Sequence, residues 1–278
     1  MLRLSPAAPA GSPRKVSRRA LPGILALAFA ASVAVTVLCG NATASMGAMP
    51  MPGGWTPSMA WMRMGGQGWP AAARGFLLMW MPMTAAMMLP SLGPVLSRYG
   101  RTLACAGVRR PGRVMSAAAL GYFLVWAALG AAIYPFGAAL AQAAMGHRWL
   151  AHGVAFVAPM VVMLAGALQF TAWKARRLAC CRAAPGAMPT PPGSMAAGLR
   201  RGVRLGLECA CCCGNLMAVS LVAGMMDLRA MVAVTLAITA ERLLPAGERV
   251  ARGVGLLAVG AGVLLTVHAV SGGWHLRP

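Results

Sequence analysis

Glu208-Cys209-Ala210-Cys211-Cys212-Cys213 gathers four of the chain's eight cysteines within five residues, at the head of an apolar run. On a helix, positions i, i+3 and i+4 share a face, which aligns Cys209, Cys212 and Cys213. Met217 continues that stripe one turn deeper. Cys211 falls about 200° round from Cys209 at 3.6 residues per turn and points elsewhere. Three thiols and a thioether on one face suit Cu(I), and after it Zn(II), because soft sulfur ligands select soft ions. Cysteine is also a small packing residue compatible with lipid, and paired thiols can carry electrons by disulfide exchange. Adjacent Cys212 and Cys213 offer poor geometry for a helical disulfide.

Three further groups bear on the same chemistry. Glu241 closes an apolar segment, and carboxylates within a span are rare and functional by default. The segment before it is joined to the cysteine-bearing one by a tight connector at Asp227-Leu228, so the two should form a hairpin with Glu241 at the depth of the thiols. There it is a ligand, a proton acceptor or a group behind the ligands; the alternative is a pair with its neighbour Arg242. In Trp80-Met81-Pro82-Met83-Thr84-Ala85-Ala86-Met87-Met88-Leu89-Pro90-Ser91, Met83 and Met87 follow i, i+4 spacing, which serves either soft-metal binding or gap filling in a core. Met46, Met49, Met51, Met59, Met62 and Met64 punctuate a Gly/Pro-rich loop. Thioethers bind Cu(I) without deprotonation in an oxidising exterior, although these methionines and Trp55, Trp61 and Trp69 also fit a membrane interface.

The elements that must hold these residues are set by composition. Of 278 residues, 59% are hydrophobic and 10% charged, and mean hydropathy is +0.69. Soluble domains carry about a quarter charged residues, so the chain is built for a lipid bilayer. Seven segments meet or approach the ~20 residues that cross one: Leu21–Cys39, Gly75–Leu96, Ser116–Ala141, Leu150–Trp173, Leu207–Met226, Ala230–Leu244 and Gly253–Ser271. The net charge is +21, but the arginines sit in short connectors and not on a basic face with interleaved aromatics, which excludes nucleic acid as a partner. Those connectors alternate. With the N-terminus inside, 20 of the 25 Lys and Arg lie on the cytoplasmic side and 5 outside, as the positive-inside rule requires.

The expected fold is therefore an all-α polytopic membrane helix bundle of about seven transmembrane helices, N-terminus inside and C-terminus outside. Its parts are a basic segment 1–20, a first span 21–39, an external Met/Gly/Pro/Trp-rich loop 40–74, a six-span domain 75–271 and an external tail 272–278. The first span doubles as a signal-peptide candidate, since Ala42-Thr43-Ala44 resembles a small-residue cleavage site; its run of about 19 residues exceeds the usual h-region and favours an anchor. Cleavage would leave six spans in the same orientation. Nothing resembles a Ser/His/Asp arrangement, a Walker loop or a dinucleotide fingerprint, and four acidic residues leave little scope for hydrolytic enzymology.

The Trp80–Ser91 block resembles the Trp-x-x-Met-x-Ala-Ala-Met-Met-Leu-Pro-Ser signature of the bacterial membrane-protein family DUF2182, described as predicted metal-binding integral membrane proteins. Cys209 through Met217, Gly224-Met225-Met226 and Glu241 resemble its second block, a Cys-x-x-Cys-Cys-Trp-x-x-Met pattern followed by Gly-x-Met and a distal Glu. Gly214 stands where that family has Trp, and Cys211 where it has Gly. The resemblance runs from about Gly75 to about Leu265. By position it implies metal-related roles for Met83, Met87, Met88, Cys209, Cys212, Cys213, Met217 and Glu241. The expectation is a protein that handles a soft ion, Cu(I) before Zn(II), by transport or by delivery to a metal-requiring membrane or periplasmic protein. A membrane thiol–disulfide electron carrier and a structural assembly subunit are the alternatives.

Overall fold

In hydrocarbon a chain must satisfy its own backbone hydrogen bonds, and a helix does so within one segment. A computed structural model describes residues 20–45, 61, 66–182, 193–225 and 227–274. They form eight helices and, among the described residues, no strand: α1 Ala20–Ser45, α2 Trp69–Cys105, α3 Pro111–Gly146, α4 Arg148–Leu168, α5 Ala172–Arg182, α6 Met195–Ala223, α7 Leu228–Leu243 and α8 Gly247–Trp274. The described residues are all-helical, in keeping with the expected fold class. The loop methionines Met46, Met49, Met51, Met59, Met62 and Met64 lie outside the described residues, as does Met226.

Five helices, α1, α2, α3, α6 and α8, are long and apolar enough to cross a membrane. Their outward faces carry bare aliphatic and aromatic side chains such as Leu27, Phe136 and Leu257, each more than 70% exposed, which is consistent with a surface that faces lipid. Two expected spans differ. The segment Leu150–Trp173 does not run straight: α4 ends at Leu168, and the chain turns by 69° into α5. The Thr171 hydroxyl caps the new helix by accepting from the Lys174 amide at 3.2 Å. The segment Ala230–Leu244 becomes α7, whose 16 residues span about 24 Å at 1.5 Å per residue, short of the ~30 Å hydrocarbon core. Its last turn delivers Glu241 and Arg242 to the protein interior, so its apolar part ends early.

The core lies between α2, α3 and α6. Gly198, Gly202 and Gly206 make a side-chain-free stripe on α6, against which α3 lays Val114, Ala118 and Tyr122. A Cβ at Gly202 would overlap the Ala118 carbonyl, so the stripe sets how closely the helices approach. Trp80 fixes α2 to α3 by donating its indole N–H to the Trp126 carbonyl at 2.8 Å. The turn between α6 and α7 is tight: Gly224 takes a φ of 121°, open to glycine alone, and the Asp227 carboxylate caps α7 by accepting from the Arg229 and Ala230 amides.

Candidate metal centre

The glycine stripe of α6 turns into a sulfur stripe. Stepping four, four, three and four residues, Gly198, Gly202 and Gly206 give way to Cys209 and Cys213 on one helical face. Cys209, Cys212 and Cys213 are each at most 1% exposed, while Cys211 faces outward. Because the glycines draw α3 close, the Tyr122 hydroxyl reaches the Cys209 sulfur and donates to it at 3.0 Å. From α2, the Met88 thioether lies 3.8 Å from that sulfur. The Cys213 thiol lies 4.0 Å away on the next turn. From α7, the Arg242 guanidinium donates to Cys209 Sγ at 3.2 Å and to Ser91 Oγ at 3.0 Å. Four helices thus converge on one sulfur atom.

Behind this group stands a buried ion pair. Lys174 Nζ and Glu241 Oε2 are 2.9 Å apart, each side chain 1% exposed. Gln169 Nε2 donates to Glu241 Oε1 at 2.8 Å, and Lys174 Nζ donates to the Cys212 carbonyl at 2.6 Å. Arg182 holds the end of α7 by donating to the Glu241 and Pro245 carbonyls. The bend at Gln169–Thr171 makes this possible, since it swings α5 back against α6 and α7. The same swing packs Cys181 against the buried core that includes Cys212, where its own S–H donates to the Glu208 carbonyl at 3.3 Å.

The arrangement offers soft ligands, a cation to balance the negative charge of thiolate ligands, and exclusion of water. Metal ligation requires deprotonated cysteines, and the donors aimed at Cys209 from Arg242 and Tyr122 match an anionic sulfur. Among the described residues, no three Cys, His, Asp or Glu side chains already stand close enough to enclose a metal ion. The donors at hand are a thiol pair with an adjacent thioether, not a closed cage.

A family model described as PpoB2, copper chaperone, matches residues 77–265. The chain belongs to this copper chaperone family. The matched interval contains all of the residues that build the centre, from Trp80 to Arg242, and omits the methionine-rich loop. No curated protein and no solved structure matches the chain. Membership makes copper the ion against which the sulfur cluster is read, and a copper-requiring protein the kind of partner that receives it.

Of the residues expected from sequence, Met88 and Cys213 come within 4.0 Å of Cys209, and Cys212 is buried on the same stretch of α6. Met83, Met87 and Met217 are buried in the same apolar core, and Met88 is the thioether with a described contact to the thiols. Glu241 does stand at the depth of the cluster, but it faces Lys174 instead of a sulfur. It does not pair with Arg242, because consecutive helical residues diverge by about 100°; Arg242 turns to Cys209 while Glu241 turns to α5. Five residues of the centre escaped sequence reasoning: Tyr122, Gln169, Lys174, Cys181 and Arg242. Lys174 carried a signal, being one of two lysines in an otherwise arginine-rich chain. Cys181 carried one too, as half of a Cys-Cys pair in what reads as a basic connector.

Proposed function

We propose that the protein is a membrane-embedded Cu(I) chaperone that holds the ion on Cys209 and Cys213, with Met88 as a third, weaker ligand, and passes it to a copper-requiring partner in the membrane or the periplasm. The observation that carries this reading is the convergence of two thiols and a thioether beneath the Arg242 guanidinium. With metal–sulfur bonds of about 2.3 Å, a sulfur separation of 4.0 Å subtends roughly 120° at the ion. That angle suits a three-coordinate soft cation. Structural Zn(II) takes four ligands, and the thioether favours Cu(I) further. Among the described residues, Arg242 directs its donors to Ser91 and Cys209 and to no carboxylate. A half-buried cation in apolar surroundings calls for a nearby anion, which a copper thiolate supplies.

Cys181 extends the sulfur toward the basic end of the bundle, and Cys212, Met87, Met83 and Met217 extend it into the core, so they serve as exchange positions on the way in and out. Glu241 acts behind the ligands. The proposed setting is a bacterial inner membrane, crossed seven times with the N-terminus inside and the C-terminus outside. The alternating 20-to-5 charge distribution supports that topology, and α7 returns from the far end of α6 to the depth of Cys209 with its remaining length covered by α5. The resemblance to DUF2182 occupies nearly the same interval as the copper chaperone match, and the two are read as one family. A thiol–disulfide carrier has no use for Met88, and a purely structural subunit has none for thiols aimed at one another.

The test is a Cu(I) titration of the purified, reduced protein against a competing chelator. Stoichiometric, tight binding in the wild type and its loss in Cys209→Ser/Cys213→Ser are expected. Undiminished binding in that variant would sink the proposal.

A further inference from the structure

Outside the buried cluster, the basic end of the bundle holds a cavity of about 220 Å³ lined by Arg98, Arg201, Arg204, Cys180, Cys181 and Glu208. Its composition is unusual. Three guanidinium groups from α2 and α6 face one carboxylate, and that carboxylate is only loosely engaged, with Arg204 Nε 3.6 Å from Glu208 Oε1 and Arg204 itself 72% exposed. Arg98 Nε is buried and, among the described residues, has no hydrogen-bond partner, a donor waiting for an acceptor. Two thiols line the same space. Cys180 is exposed and Cys181 half-buried, and Cys181 packs against the buried core that includes Cys212. The cavity is thus a positively charged space whose floor leads, through one thiol, to the copper site. Arg204 and Cys180 on its rim are exposed, so the space opens to the surface and takes the anionic end of a small molecule but not a folded domain.

We infer that this cavity is the docking site for a low-molecular-weight anionic thiolate complex of Cu(I), from which Cys181 takes the ion. The inference rests on the copper-holding role proposed above and adds the form in which copper arrives. The arginines recognise the carboxylates and net negative charge of the carrier, as guanidinium forks do. The Cys181 sulfur forms a bond to copper as the carrier's sulfur–copper bond breaks. The proton displaced from the Cys181 thiol leaves with the departing carrier thiol, and copper stays Cu(I) throughout, so no oxidant or reductant is needed. Transfer to Cys212 repeats the exchange one position deeper. An anionic lipid headgroup would also satisfy the arginines, but it gives no role to the two thiols in the same cavity.

The experiment uses full-length protein in nanodiscs of zwitterionic lipid and two donors, the Cu(I)–glutathione complex and the uncharged-ligand Cu(I)–acetonitrile complex. Electrostatic guidance changes association rates by about 10- to 1,000-fold. The Arg98→Gln/Arg201→Gln/Arg204→Gln variant should therefore load from Cu(I)–glutathione at least about tenfold more slowly than wild type. It should load from Cu(I)–acetonitrile at the wild-type rate and to the same capacity. The corresponding triple Lys variant should recover most of the glutathione rate, and added salt should slow it. Equal slowing with both donors, or no slowing with either, would overturn the inference while leaving the copper site standing. An arginine effect seen only when anionic lipid is present would assign the cavity to headgroups and overturn it as well. Wild-type protein that took copper from neither donor would instead remove the proposed function itself.

Discussion

The Lys174–Glu241 pair separates a structural carboxylate from a metal ligand, and its size can be worked from the structure. Both side chains are 1% exposed and lie 2.9 Å apart, so removing one strands the other's charge in an apolar interior. Breaking a buried pair in this way costs about 3–5 kcal/mol. Glu241→Gln leaves Lys174 with only carbonyl acceptors, and Lys174→Met leaves Glu241 with the Gln169 amide alone. Each single variant should therefore fall near that range. At about 2–4 °C per kcal/mol for a chain of this size, the midpoint should drop by roughly 10 °C. In Lys174→Met/Glu241→Gln no charge is stranded, the Gln169 amide can still pair with the new amide on α7, and the lost bond to the Cys212 carbonyl is worth about 1 kcal/mol. The double variant should be more stable than either single one and should keep its copper. Thermal unfolding of the detergent-solubilised protein, followed by copper analysis of the folded fraction, reads both quantities. A double variant at least as unstable as the sum of the singles would refute the pairing argument. A stable double variant that had lost copper would make Glu241 a ligand.

The remaining expectations follow from single contacts. Cys209→Ser and Cys213→Ser should each lower Cu(I) affinity at least about tenfold, as expected when a soft ligand is replaced by a hard one, whereas Cys211→Ser, on the exposed face, should leave a chelator titration unchanged. Met88→Leu keeps the volume and should cost less than about 1.5 kcal/mol in packing, yet weaken copper retention measurably in the same titration. Gly202→Leu forces a side chain into the Ala118 carbonyl and should destabilise by about 3 kcal/mol or more, beyond ordinary overpacking, lowering the yield of folded protein on size-exclusion chromatography. Reporter fusions after residue 200 should read cytoplasmic and fusions at the C-terminus external; a cytoplasmic C-terminus would mean that α7 does not cross.

Much of this centre was readable from spacing because helices make spacing into geometry. The i, i+3, i+4 pattern put Cys209, Cys212 and Cys213 on one buried face and turned Cys211 away. The short connector at Asp227 forced a hairpin that returned Glu241 to the thiols. Partners on other helices were less legible. Tyr122 reaches Cys209 only because three glycines on α6 let α3 approach, a relation that pattern within either helix does not contain. Lys174 and Cys181 were hidden for a different reason. Hydropathy ran Leu150–Trp173 as one straight span, which put both residues in a solvated connector, while the 69° break at Gln169–Thr171 folds them back into the protein. Arg242 was counted as one of the charges that set orientation, although its donors serve Ser91 and Cys209. In a bilayer the rule that places cations at the inner boundary does not distinguish a charge that faces lipid headgroups from one that faces a ligand.

Copper-edge X-ray absorption on the reduced, copper-loaded protein tests the central claim most directly. The account predicts Cu(I) in a low-coordinate shell made of sulfur alone, at about 2.3 Å, with the shell lost in Cys209→Ser/Cys213→Ser and thinned in Met88→Leu. A first shell dominated by nitrogen or oxygen, or a sulfur shell that survived the double serine variant, would contradict it.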